Sequence, residues 1–171
     1  MKRVGILCAF MLMIAPALFA KGKTVRITIE GADLKRAVEI TDPKVLANFN
    51  VWAGPATSSN EAQSLIVDWT PGPVTAPPAP LPRYKVCFYS NLPNKRLMYV
   101  VLYAYDPAAK QGYVYLPGKG DEWYRVNVSS IWHGGEGKWF RAWDRWDNIA
   151  RPLISGATTG QSNEVGSAAL K

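Results

Sequence analysis

From Arg83 onward the chain repeats one pattern, an apolar run of strand length followed by a cluster of turn formers. The runs are Arg83 to Ser90, Leu97 to Tyr105, Tyr113 to Leu116 and Trp123 to Val128. Between them lie Asn91-Leu92-Pro93-Asn94, Asp106-Pro107 through Gly112, and Pro117-Gly118-Lys119-Gly120-Asp121. Short strands at this spacing, bounded by these turn residues, predict a largely antiparallel arrangement. The expected fold is mainly β: an antiparallel β-sandwich or twisted sheet with one or two short helices packed on it.

The first half is sparser. Thr24 to Glu30 alternates, with Val25, Ile27 and Ile29 on one face, and reads as a strand. Leu34 to Ile40 can return beside it after the Gly31-Ala32-Asp33 turn. Asp42-Pro43 offers an N-cap and a proline at the first helical position, so a short helix is expected from there to about Asn50. Ser64 to Trp69 is a further strand candidate, after a polar loop from Gly54 to Gln63. Pro71 to Pro82 holds six prolines in twelve residues, which rules out helix and central strand and leaves an extended connector. After the His133-Gly134-Gly135-Glu136-Gly137 turn, Trp139, Trp143, Trp146 and Ala150 fall three or four apart. That spacing predicts one face of a helix stopping near Pro152. Ser155 to Lys171 is small and polar and reads as a tail.

The N-terminus predicts destination. Lys2 and Arg3 lead into an apolar run from Val4, followed by Pro16 and Ala17-Leu18-Phe19-Ala20, the pattern of a secretory signal peptide cleaved after Ala20. No second long apolar segment follows, so no transmembrane segment is expected after cleavage. The exported domain is residues 21–154, periplasmic or extracellular. Without Lys2 and Arg3 the chain after the leader, residues 21–171, carries 18 basic and 13 acidic residues, net +5, a balance that favours anionic partners. Only Cys87 remains after cleavage, so no intrachain disulfide can form and the fold depends on its core.

Chemistry-bearing patterns are few. One histidine and one cysteine cannot build a usual zinc site, and no acidic group has calcium-loop spacing. The His133 loop is weakly like the oxyanion loop of lipases, but no G-x-S-x-G elbow accompanies it. His133 is therefore read as a turn residue. No catalytic, metal or cofactor site is expected. Two carboxylates among Asp68, Asp106, Asp121, Glu122 and Glu136 would suffice for a small glycan hydrolase, which is one alternative.

The tyrosines are the leading candidates. If Asp106 to Gly112 closes a hairpin, Tyr105 lies near Tyr113 and Tyr103 near Tyr115. Tyr99, Tyr103, Tyr105, Tyr113 and Tyr115 then line one sheet face able to stack sugar rings. The competing expectation is a cross-strand ladder packed under the helix. The segment Gly112–Trp143, GYVYLPGKGDEWYRVNVSSIWHGGEGKWFRAW, together with ITIEGADL at Ile27–Leu34, resembles bacterial exported or envelope-associated β-rich proteins known only as hypothetical. That resemblance implies no activity. The function expected is a non-catalytic binding module or accessory protein of the envelope. Its partner would be a glycan, an anionic polymer or an envelope protein, and not nucleic acid. A structural protein–protein domain is the other alternative.

Overall fold

The computed structural model describes residues 22–57, 65–75, 80–91 and 96–159. The expected leader, parts of the Gly54–Gln63 loop, of the proline-rich connector and of the Asn91–Asn94 turn, and the tail beyond Thr159 lie outside these ranges.

The fold is mainly β. Its strands are β1 (Thr24–Glu30), β2 (Val38–Ile40), β3 (Val67–Asp68), β4 (Tyr84–Ser90), β5 (Leu97–Asp106), β6 (Gln111–Tyr115) and β7 (Trp139–Ala142). They form one seven-stranded sheet in the order β2-β1-β4-β5-β6-β7-β3, and every pairing is antiparallel. Three helices pack on it: α1 (Pro43–Leu46), α2 (Tyr124–Ser130) and α3 (Asp144–Thr159). Of the two layouts expected, the twisted sheet with helices is the one formed. The proline-rich connector joins β3 to β4 within this same sheet.

Opposed residues of paired strands share a face. The inner face carries Ile27 and Ile29 of β1, Val86 and Phe88 of β4, Tyr99, Val101 and Tyr103 of β5, Val114 of β6 and Phe140 of β7, all buried. Trp146, Ala150 and Ile154 of α3 close over it, with Phe49 meeting Trp146 edge-on at 5.2 Å. Asp42 caps α1 as expected, accepting from Lys44 N at 2.8 Å, with Pro43 opening the helix.

A buried carboxylate fixes α3 to the sheet. Asp147 Oδ1 accepts from the Tyr103 hydroxyl and Oδ2 from the Gly112 amide, both at 2.8 Å. Burial pushes its pKa up against the pull of these two bonds.

Three local expectations give way. Trp123 to Val128 is not a strand, because residues 124–130 form α2. β6 ends at Tyr115, opposite Leu102, so β5 before that point lacks a strand partner on this side. Asn127 of α2 takes that place, accepting from Val100 N at 2.8 Å and donating to Val100 O at 2.7 Å. Trp139 is likewise not in the C-terminal helix; it opens β7, and Trp143 caps α3 through its carbonyl. Finally, α3 passes through Pro152 to Thr159, into the segment read as tail. The face that buries Ala150 and Ile154 spans the proline, so packing holds the helix across the missing N–H.

Candidate functional site

The five candidate tyrosines do not share a face. Tyr103 pairs with Val114 and Ala104 with Tyr113, one residue away from the expected register. The hairpin closes on Asp106 opposite Gln111, with Asp106 Oδ1 accepting from Ala108 N and Ala109 N at 2.8 and 3.2 Å. A slip of one residue exchanges the faces of a strand. Tyr99, Tyr103 and Tyr105 therefore lie on the inner face, and Tyr113 and Tyr115 on the outer one. Tyr99 and Tyr103 are fully buried in the core, where burial pushes both hydroxyls up. Tyr105 is half-buried, its ring 4.1 Å beneath the Arg151 guanidinium.

The outer face carries what remains. One row crosses it from Lys85 to Leu102, Tyr115 and Trp139, each directly opposite the next. Tyr115 and Trp139 are half-exposed and their rings meet at 5.1 Å, tilted by 38°. Asp121 holds Tyr115 in place: its Oδ2 accepts from the Tyr115 hydroxyl at 2.8 Å and from Gly118 N at 2.7 Å. Burial, then this hydrogen bond, raises the Tyr115 pKa. The Arg83 guanidinium lies 5.4 Å from the centre of the Trp139 ring. Arg141, exposed, sits two residues along β7 from Trp139 and opposite Tyr113. At the far end of the row Lys85 pairs with Glu30 at 2.8 Å under the Trp123 ring. The surface is thus an aromatic pair flanked by two guanidinium groups.

Of these residues, Arg83 carries no signal in the sequence, whereas Trp139 and Arg141 lie in a stretch of interleaved tryptophans and arginines whose spacing reads as a helix packed on the sheet with a solvated charged face. The signal was present in Trp139-Phe140-Arg141-Ala142, which alternates between outward and inward residues, but the helical spacing of the tryptophans obscured it.

A groove of about 560 Å³ lies elsewhere, between edge strand β2, α1 and the second half of α3. Val38, Ile40, Val45, Ile149 and Leu153 give it apolar walls, and Arg36, Glu39, Asp42 and Asn148 add polar groups.

His133 is not a turn residue but a buried one, 1 % exposed. Its ring lies against those of Trp69 and Tyr99, with centroids at 5.5 and 5.3 Å. Nε2 is 3.1 Å from Val51 O, and Nδ1 is 3.4 Å from Pro55 O. Burial holds the imidazole pKa below its ordinary value, and the neutral ring with its proton on Nε2 donates to Val51 O, the shorter of the two contacts. His133 ties the segment after α1 to the sheet. Gly134, at φ +76, supplies the turn beside it. Cys87 is buried on the outer face, and burial pushes its thiol up.

Four of the five carboxylates weighed for hydrolysis serve backbone turns, and the fifth, Glu122, is exposed. Asp68 accepts from Thr70 N at 3.0 Å, Asp106 and Asp121 bind their own loops, and Glu136 Oε1 accepts from His133 N at 2.7 Å. Among the described residues no group of three His, Cys, Asp or Glu is placed to hold a metal ion, and no helix is long and apolar enough to cross a membrane. No family model, curated protein or solved structure matches the chain.

Proposed function

We propose that this chain is an exported, non-catalytic binding module or accessory protein of the cell envelope. Its outer sheet face takes a glycan or anionic polymer. The observation that carries the reading is the half-exposed Tyr115–Trp139 pair with Arg83 against it. Indole and phenol rings offer apolar faces to the C–H faces of sugar rings, while the flanking guanidinium groups reach for oxygen atoms. A strand-borne site of this kind is rigid, so little ordering cost opposes binding.

The test is co-sedimentation of the purified chain with insoluble envelope polysaccharides, for the native protein and for Trp139→Ala. The native protein pellets with at least one polymer and the variant stays in the supernatant. Equal pelleting of both moves the site off this face. The hydrolase alternative predicts reducing-sugar release, lost on Asp121→Asn.

A further inference from the structure

The ligand class of this surface follows from what its charges already do, and the inference rests on the reading just given. Two arginines and two acids, Arg83, Arg141, Asp68 and Asp121, surround the aromatic pair, while Lys85 at the far end of the row is held by Glu30 at 2.8 Å. The two acids are engaged by their own turns, Asp68 by Thr70 N at 3.0 Å and Asp121 by Gly118 N and Tyr115 at 2.7 and 2.8 Å. The two arginines are not. Among the described residues neither Arg83 nor Arg141 has an ion pair within 4.0 Å or a side-chain hydrogen bond. This holds even though Asp68 lies directly opposite Arg141 across the β3–β7 pair. Arg83 instead lies against the Trp139 ring, which leaves its N–H edge available.

From this geometry we infer that the outer face reads a carboxylate-bearing glycan, a polymer of uronic-acid type. The sugar rings lie on Tyr115 and Trp139, and ring carboxylates accept paired N–H bonds from Arg83 and Arg141. Planar guanidinium matches planar carboxylate with two parallel bonds, a fit that lysine does not give. A stacking platform calls for a ligand with ring faces, which sets a uronate polymer apart from a ring-free polyphosphate chain. Each arginine stands beside Trp139, Arg83 against its ring and Arg141 about 7 Å along the strand on the same face.

The probes are polygalacturonate and its fully methyl-esterified form, titrated by calorimetry into the whole purified chain at about 0.15 M and about 0.5 M salt. Esterification keeps the rings and removes the charge. Polygalacturonate binds, and the ester binds about tenfold more weakly or less, the value expected for exposed charge-assisted bonds. Arg83→Gln with Arg141→Gln brings the acid down to about the ester's affinity and weakens the ester far less, while Trp139→Ala weakens both. Equal affinity for acid and ester overturns the carboxylate inference and leaves the stacking surface standing. Absence of binding to either polymer overturns the carboxylate inference too, and the co-sedimentation result then decides whether the stacking surface survives. Binding of linear polyphosphate as tight as that of polygalacturonate, lost at the higher salt, replaces the inference with charge attraction alone. Far-ultraviolet circular dichroism and melting of each variant confirm that the surfaces compared are folded ones.

Discussion

Replacing Gly112 with alanine tests how α3 is held on the sheet. A Cβ at this position would fall inside the Asp147 carboxylate and 2.8 Å from the Ala142 Cβ. The carboxylate has to swing away, and it then loses both of its bonds, to the Gly112 amide and to the Tyr103 hydroxyl. Hydrogen bonds to a charged group contribute about 1.5–3 kcal/mol each, and a buried carboxylate stripped of partners costs more, offset where it reaches water. A loss of about 3–4 kcal/mol is expected. With a urea slope of about 1.5 kcal/mol/M, the midpoint falls by about 2 M. Tryptophan fluorescence follows the transition, since Trp146 beside the clasp is fully buried. Tyr103→Phe removes only one bond and lowers stability by about 1–2 kcal/mol. Combined with Gly112→Ala it adds little, because both changes act on one carboxylate. A midpoint for Gly112→Ala within about 0.3 M of the native protein would refute the clasp.

Three further outcomes are expected. Asn127→Ala leaves the Val100 amide and carbonyl without their partner in a buried site and lowers stability by about 2–4 kcal/mol, measured by urea unfolding. His133 has a folded pKa below its unfolded value of 6.5, so the stability it contributes is present above 6.5 and is lost as pH falls towards the folded value. The difference in unfolding free energy between the native protein and His133→Gln therefore narrows on going from pH 7.5 to about pH 5, whereas a constant difference removes the titration argument. Asp147, whose folded pKa is raised from 3.8, runs the other way and favours the fold as pH falls, which is why the His133 comparison and not the bare pH profile is the measurement. Tyr115→Phe frees Asp121 from one donor, loosens the platform and weakens glycan binding severalfold, with a stability change under about 1 kcal/mol at this half-exposed position; a loss of fold instead would make Tyr115 a core residue.

The strand rhythm from Arg83 to Tyr115 was legible because alternation and turn chemistry agree there. The register of the β5–β6 hairpin was not, and the reason is a single residue. Gly112 reads as the last residue of a turn, since glycine is rare inside strands. In the fold it is a strand residue opposite Tyr105, and its missing side chain makes room for Asp147, far away in sequence. Moving the strand start by one position sends Tyr113 and Tyr115 to the other face, and with them the candidate site.

The tryptophans misled in a related way. Trp139, Trp143 and Trp146 sit at helical spacing, yet one belongs to a strand, one caps a helix and only the third lies on the helix's buried face. A short apolar run such as Trp123 to Val128 gives no decision between strand and helix by pattern alone. Here the decision comes from Asn127, a polar residue whose side chain completes the edge of β5. His133 was hidden by its glycine neighbours, which mark a turn and say nothing of the ring between Trp69 and Tyr99.

The most direct test of the account is the indole N–H spectrum of the isotope-labelled chain during titration with polygalacturonate. Seven tryptophans give seven separable probes distributed over strand, helix and loop. A saturable shift of the Trp139 resonance is expected, with the buried Trp146 signal unmoved. Shifts centred on Trp143 or Trp146, with Trp139 silent, would place binding on the helical side of the sheet and contradict the outer-face site.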